Sequence, residues 1–154
     1  MKKCLIVLGL VIAISDLAQA REVTFTTELL NYRGEGAYLA LYLKDAAGGY
    51  EKTLWVAGDK PKYYKHLIGW ARGSGLEPAE YDGITGASVT SGRTLEVVLD
   101  LDDSLIDNGY EIHIDTAVED RRDNRSDIVV PLTSEGVGQS VSGNGYVRSF
   151  RYDF

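Results

Sequence analysis

Apolar residues recur at every second position along most of this chain, and that period of two decides its architecture. Val23 and Phe25 alternate with Thr24 and Thr26. Leu39, Leu41 and Leu43 share one face, opposite Tyr38, Ala40 and Tyr42. Leu95, Val97, Leu99 and Leu101 repeat the pattern, as do Tyr110, Ile112, Ile114, Thr116 and Val118. Shorter runs follow at 127–132 and 146–154, and Tyr50 to Val56 completes about seven strands. Successive side chains on a strand point to opposite faces, so each run offers one apolar face to a core. Arg33-Gly34-Glu35-Gly36, Gly48-Gly49, Asn108-Gly109 and Asn144-Gly145 supply turns between the runs. The expectation is an all-β fold: a single antiparallel β-sandwich with a two-sheet core.

The N-terminus reads as an address. Lys2 and Lys3 precede an uncharged apolar run, Cys4 to Ile14, and Ala18-Gln19-Ala20 is a small-x-small cleavage site. The run is too short to span a bilayer. The expected organisation is a cleavable signal peptide at 1–20 and one domain at 21–154. The only cysteine, Cys4, would leave with the signal. The working chain would then have no disulfide and no thiolate ligand, which points to a bacterial envelope protein in the periplasm. Loss of Lys2, Lys3 and Asp16 would take the net charge from -7 to -8. That sign argues against nucleic acid and against anionic membrane surfaces.

One segment escapes the alternation. In Pro61 to Arg72, Tyr63, Leu67 and Trp70 fall at i, i+4 and i+7, so a short helix would carry one apolar face. Pro61 suits its first turn, and Gly73-Ser74-Gly75 would end it. Leu76 to Arg93 follows as a long Gly-, Ser- and Thr-rich connection, and loops of that length in a compact domain are usually functional.

Within that loop, Thr85-Gly86-Ala87-Ser88-Val89-Thr90 reads [Ser/Thr]-Gly-Ala-[Ser/Thr]-x-[Ser/Thr]. This resembles the acceptor motif for covalent flavinylation in the FMN-binding domains of ion-pumping quinone reductase subunits. The resemblance implies FMN joined by a phosphoester to Thr90 and attached by a separate FAD:protein FMN transferase. Thr85, Gly86, Ala87 and Ser88 would be the recognition residues, with serine at Ser88 where threonine is commoner. A threonine hydroxyl is a poor nucleophile without a base, and the sequence offers none near Thr90, so activation would fall to the transferase. The bland alternative is a Ser/Thr/Gly-rich loop of an exported β-protein.

A second resemblance covers most of the chain. It rests on Ala37 to Asp45, Lys52-Thr53-Leu54-Trp55, Gly58 to Tyr63, Leu67 and Trp70, followed by Asp82 to Ser88. Together these are similar to the bacterial predicted periplasmic protein family, domain of unknown function 2271. That resemblance implies an Ig-like or fibronectin-like sandwich and flavin-based electron transfer beside a PepSY-type membrane reductase. It departs from the family at Leu99 to Asp103 and at Thr116 to Asp120, so those stretches inherit no role.

Other residues carry weaker chemical signals. Trp55, Tyr63, Tyr64, Trp70 and Tyr81 lie close enough in sequence to the loop to cover a flavin ring, although Trp55 and Trp70 suit a core between sheet and helix equally well. Asp100, Asp102, Asp103 and Asp107 lack the glycine of a calcium loop and read as a solvated turn. His66 and His113 have no metal-ligand spacing, and His113 is expected on the outer face of a sheet. Arg121, Arg122 and Arg125 alternate with aspartates as a mixed charged loop. No serine-hydrolase elbow is present. Three functions follow in order. The first is an exported flavoprotein electron carrier. The second is a cofactor-free Ig-like binding or assembly module. The third, an enzyme with an ordinary pocket, is disfavoured by the scarcity of His and Cys.

Overall fold

The computed structural model describes residues 19–154. Eight strands form two sheets: β1 (Ala20–Leu29), β2 (Tyr38–Lys44), β3 (Tyr50–Ala57), β4 (Thr85–Gly86), β5 (Thr94–Asp102), β6 (Glu111–Ala117), β7 (Asn124–Pro131) and β8 (Val147–Asp153). One sheet runs β5-β1-β8 and the other β4-β3-β2-β6-β7. All pairings are antiparallel except β3 with β4. The expected all-β sandwich is therefore present, and the seven strands read from alternation each appear. The eighth, β4, lies inside the supposed loop.

The alternating residues do what their period requires. Val23, Phe25, Leu39, Leu41, Leu43, Ile112, Ile114 and Phe150 are buried between the sheets. Phe25 and Phe150 stack across β1 and β8 with ring centroids 6.4 Å apart. One buried carboxylate laces this layer. Asp127 accepts from Thr116 Oγ1 (2.6 Å) and from the amides of Gly145 (2.7 Å), Tyr146 (2.7 Å) and Val147 (3.2 Å). It joins β7 in one sheet to the start of β8 in the other.

The second face of the larger sheet is not wet. Ala40, Tyr42, Val56 and Ala117 are buried there under Tyr64, Leu67 and Trp70 of the segment that escaped alternation. His113 is on this outer face, as its alternation indicates, but the layer above it leaves it buried. The segment is not one helix. Pro61–His66 is a 3₁₀ turn, Leu67 breaks it at φ -85°, ψ 73°, and α1 runs Ile68–Ser74 with Gly75 as a left-handed cap. The large buried side chains are Tyr64, Leu67 and Trp70, spaced by three. The expected Tyr63, at α-helical spacing, is half-buried instead. A 3₁₀ turn has three residues per turn, which moves the buried stripe by one position.

A second buried carboxylate anchors this layer. Asp115 accepts from the Trp70 amide (2.8 Å), the Ser126 amide (2.8 Å) and the Tyr42 hydroxyl (3.2 Å). Burial, with Asp115 adjacent, pushes the Tyr42 phenol well above its ordinary pKa. Residues 1–18, with most of the expected signal peptide, lie outside the described residues. At the domain's edge, the Gln19 carbonyl accepts from the Asp103 amide (2.8 Å), and Ala20 pairs with Asp102.

Candidate functional site

The Thr85–Thr90 segment is held as the rim of a sheet. Val56 N donates to Ile84 O (3.0 Å) and Gly58 N to Gly86 O (2.7 Å), which makes β4 an edge parallel to β3. Val89 then exchanges both backbone hydrogen bonds with Ala37, at 2.8 and 2.9 Å, and its side chain enters the core. Side chains alternate about such a bridge, so Ser88 and Thr90 turn away from the core. Thr90 is exposed, as are Asp82, Thr85 and Ala87. Beyond it, Ser91 Oγ donates to the Tyr32 carbonyl, Gly92 N to Leu30 O (3.0 Å) and Arg93 N back to Thr90 O (3.0 Å). The Thr90 hydroxyl thus stands between two pinned residues. Among the described residues its side chain has no hydrogen-bond partner.

Two glycines of this region are required by close approach. A Cβ on Gly86 would lie 2.8 Å from Trp55 Cζ2, and one on Gly36 would lie 2.6 Å from Ser88 Oγ. Trp55 thus lies against the motif's glycine. It is half-buried, and its buried Nε1 has no hydrogen-bond partner among the described residues.

A cleft of about 450 Å³ opens beside Ser88 and Gly36. Tyr38 and Tyr63 form its aromatic wall, edge to face with centroids 5.6 Å apart. Their hydroxyls make long contacts, each at 3.5 Å, with Asp59 and Glu119 respectively. Burial raises the Tyr38 phenol pKa. At the far end His66 Nδ1 sits 3.0 Å from Asp123 Oδ2. Sequence reasoning missed this pair because 57 residues separate its members, and nothing local in the chain announces a long-range His–Asp contact.

The residues singled out from sequence therefore part company. Ser88 and Tyr63 line the cleft, while Thr90 and Asp82 do not. Trp55 meets Gly86. Trp70 is fully buried, with Nε1 donating to Thr53 Oγ1 (2.8 Å), and Tyr64 and Tyr81 meet its ring at 5.4 and 6.0 Å. Packing covers every part of it, which is the core place between sheet and helix that the sequence also allowed. Tyr64 is equally enclosed, and Tyr81 is half-buried edge-on to Tyr64 at 5.1 Å. Of the acidic cluster, Asp102 caps Ser104 N (2.8 Å), Asp107 holds Ser134 N and Oγ, and Asp103 pairs with Arg21 at 2.7 Å. These hydrogen bonds hold the Asp102 and Asp107 carboxyls below their ordinary pKa.

Comparison with known families gives a match over most of the chain. Residues 20–149 match the family described as "Predicted periplasmic protein (DUF2271)". The chain belongs to this family. It is a periplasmic protein of β-rich fold, and the match spans every strand from β1 into β8. Among the described residues, no helix is long and apolar enough to cross a membrane. No curated protein and no solved structure matches the chain.

Proposed function

We propose that this periplasmic protein is a flavoprotein electron carrier, with FMN attached through a phosphoester to Thr90. It would act in extracytosolic electron transfer beside a PepSY-type membrane reductase, after modification by an FAD:protein FMN transferase. One observation carries this reading: Thr90 is exposed on a rim whose neighbours, Val89 and Ser91, are tied down. A modifying enzyme needs a reachable hydroxyl in a defined backbone, and this segment offers one.

The surroundings fit the group on the acceptor side. Ala87 is small and exposed beside the acceptor, and the Trp55 indole packs against Gly86 where a side chain would otherwise lie. The free Thr90 hydroxyl, with no base bonded to it, agrees with activation by a separate enzyme. The cleft has more carboxylates than cations, which opposes housing a phosphate, so the phosphoester belongs on the open rim. Bound FMN would supply one- and two-electron redox chemistry. Thr85, Ser88 and Asp82 would be read by the transferase, and Tyr63 is the ring wall closest in sequence to the rim's cleft.

The sandwich itself we read as Ig-like or fibronectin-like. An Ig domain sets A-B-E against C′-C-F-G. Here β8-β1-β5 faces β3-β2-β6-β7, the same neighbours in the same order, with C-terminal β8 in the place of the first strand.

Intact-mass measurement of protein exported by a host that has the transferase tests the assignment. The expected result is an adduct of FMN less one water, lost in Thr90→Ala and accompanied by visible flavin absorbance. No adduct on the native chain, or one that survives Thr90→Ala, overturns it. The cofactor-free module reading draws on the edge strands β5 and β7, which carry the exposed Val98 (51%) and Val129 (45%). It expects colourless protein and a partner that adds to a sheet edge.

A further inference from the structure

The cleft beside Ser88, which shares Tyr63 with the flavin reading, offers a further site that does not require a flavin on Thr90. Its walls hold five carboxylates: Glu35, Asp59, Glu119, Asp120 and Asp123. Against them stand only Lys60 and Arg121, with His66 held by Asp123. Among the described residues, Glu35, Asp59, Glu119 and Asp120 take part in no salt bridge. The field inside a concave, low-dielectric wall lined by one sign of charge attracts the opposite sign.

A metal ion is not the fit. A hard cation needs several oxygens converging on one point. Among the described residues, no three His, Cys, Asp or Glu side chains converge in that way. The carboxylates are spread around a space of about 450 Å³, which is the size of a small organic ligand. The wall between them is aromatic. Tyr38 and Tyr63 meet edge to face, and aromatic rings attract cations. Lys62 lies 4.8 Å over the Tyr63 ring, so an incoming cation exchanges with its ammonium there or meets Tyr38. Tyr38 is also fixed in place. Gly58, at φ +131°, has its Cα so close to this ring that no Cβ could be accommodated.

We propose that this cleft binds a small organic cation bearing amine or quaternary ammonium groups, held by the Tyr38–Tyr63 wall and the surrounding carboxylates. Glu119 bonds Tyr63 from one side of the cleft, and Asp120 stands beside it at φ +57°. Both residues line the cleft together with the aromatic wall.

The test is an NMR titration of protein made in a host without the FMN transferase, so that its outcome does not depend on the flavin. The probes are 1,4-diaminobutane, butane-1,4-diol and succinate, which share a chain length and differ in charge. The diamine should shift the amides of Gly36, Tyr63, Ser88 and Asp120. It should bind about tenfold more tightly than the diol, while succinate leaves the cleft unmoved. Glu119→Gln with Asp120→Asn should cost the diamine about tenfold in affinity and leave the weak diol response alone. Should that pair not fold, Tyr63→Leu supplies the second measurement, again with an expected loss. Equal responses to diamine and diol overturn the proposal. So do shifts as large at Asp100 to Asp103 as in the cleft, since they would mark general attraction to an acidic protein.

Discussion

The two faces of the larger sheet are both buried, but they are built by different means. Toward β1 and β8 the aliphatic side chains of Leu39, Leu41, Leu43, Ile112 and Ile114 share a core with Phe25 and Phe150. Toward α1 the layer is aromatic and threaded with polar groups. There Trp70 Nε1 bonds Thr53 Oγ1, which also meets the Tyr50 hydroxyl at 2.7 Å, and that hydroxyl reaches Glu80 at 2.6 Å. Apolar burial is roughly proportional to area and is non-directional, so it tolerates small adjustments. A buried hydrogen-bond network loses the full desolvation cost of each donor it strands. The inner face should therefore respond to lost volume, and the outer face to lost partners.

Asp127 gives the largest expected effect, because it makes the inner face an exception. Asp127→Ala strands four donors and unlinks β7 from β8. Urea unfolding should show a loss of about 4 kcal/mol. Asp115→Ala strands three donors under α1 and should cost about 3 kcal/mol. It should also raise amide exchange across Ile68–Ser74 while sparing β1 and β8. Exchange that rises evenly over both sheets would erase the distinction between the faces. Ile114→Ala removes only volume and should cost about 3 kcal/mol, with Ile114→Val near 1 kcal/mol. Trp70→Phe keeps most of the volume and deletes one hydrogen bond, so about 1 to 2 kcal/mol is expected.

The smallest effect is a pH dependence. Burial lowers the pKa of His113, against the opposing pull of Glu111 at 3.0 Å. Its folded pKa lies below the unfolded value, so the unfolded chain binds the proton more readily. Stability from this group is complete above the unfolded value of about 6.5 and declines as pH falls through it. Denaturant midpoints at pH 7.5 and 5.5 should therefore converge in His113→Gln relative to the native chain. An unchanged gap would show that other groups set the dependence.

The inner face was open to sequence reading for a simple reason. Leu39, Leu41 and Leu43, or Ile112 and Ile114, obey a period that only a half-buried strand explains. The outer face was hidden by the same rule. Tyr38, Ala40 and Tyr42 occupy the positions that alternation assigns to solvent, and only a nearly continuous apolar run hints that both faces are covered. Asp115 in the middle of such a run was the sharper clue, since a central carboxylate on a buried strand needs donors from somewhere. The Thr85–Thr90 segment was legible as a sequence pattern but not as structure. Its two-residue strand is too short to show a period, and its hold on Ala37 and Gly58 is made by backbone atoms that carry no residue-type signature. The cleft was illegible because its walls come from Glu35, Tyr63, Ser88 and Asp120, which meet only once the sheets are assembled.

The pairing of β1 with both β5 and β8 sets an order of events for a chain that reaches the periplasm. β1 comes first among the described strands, yet it is the middle strand of its sheet, and one of its two neighbours, β8, comes last among them. Phe150 and Tyr152, which close the layer over Phe25, lie on that late strand. β1 therefore waits, unpaired on one edge, until β8 has been delivered. That interval is the period of greatest exposure to misassociation and proteolysis, and a periplasmic holding factor would matter most then.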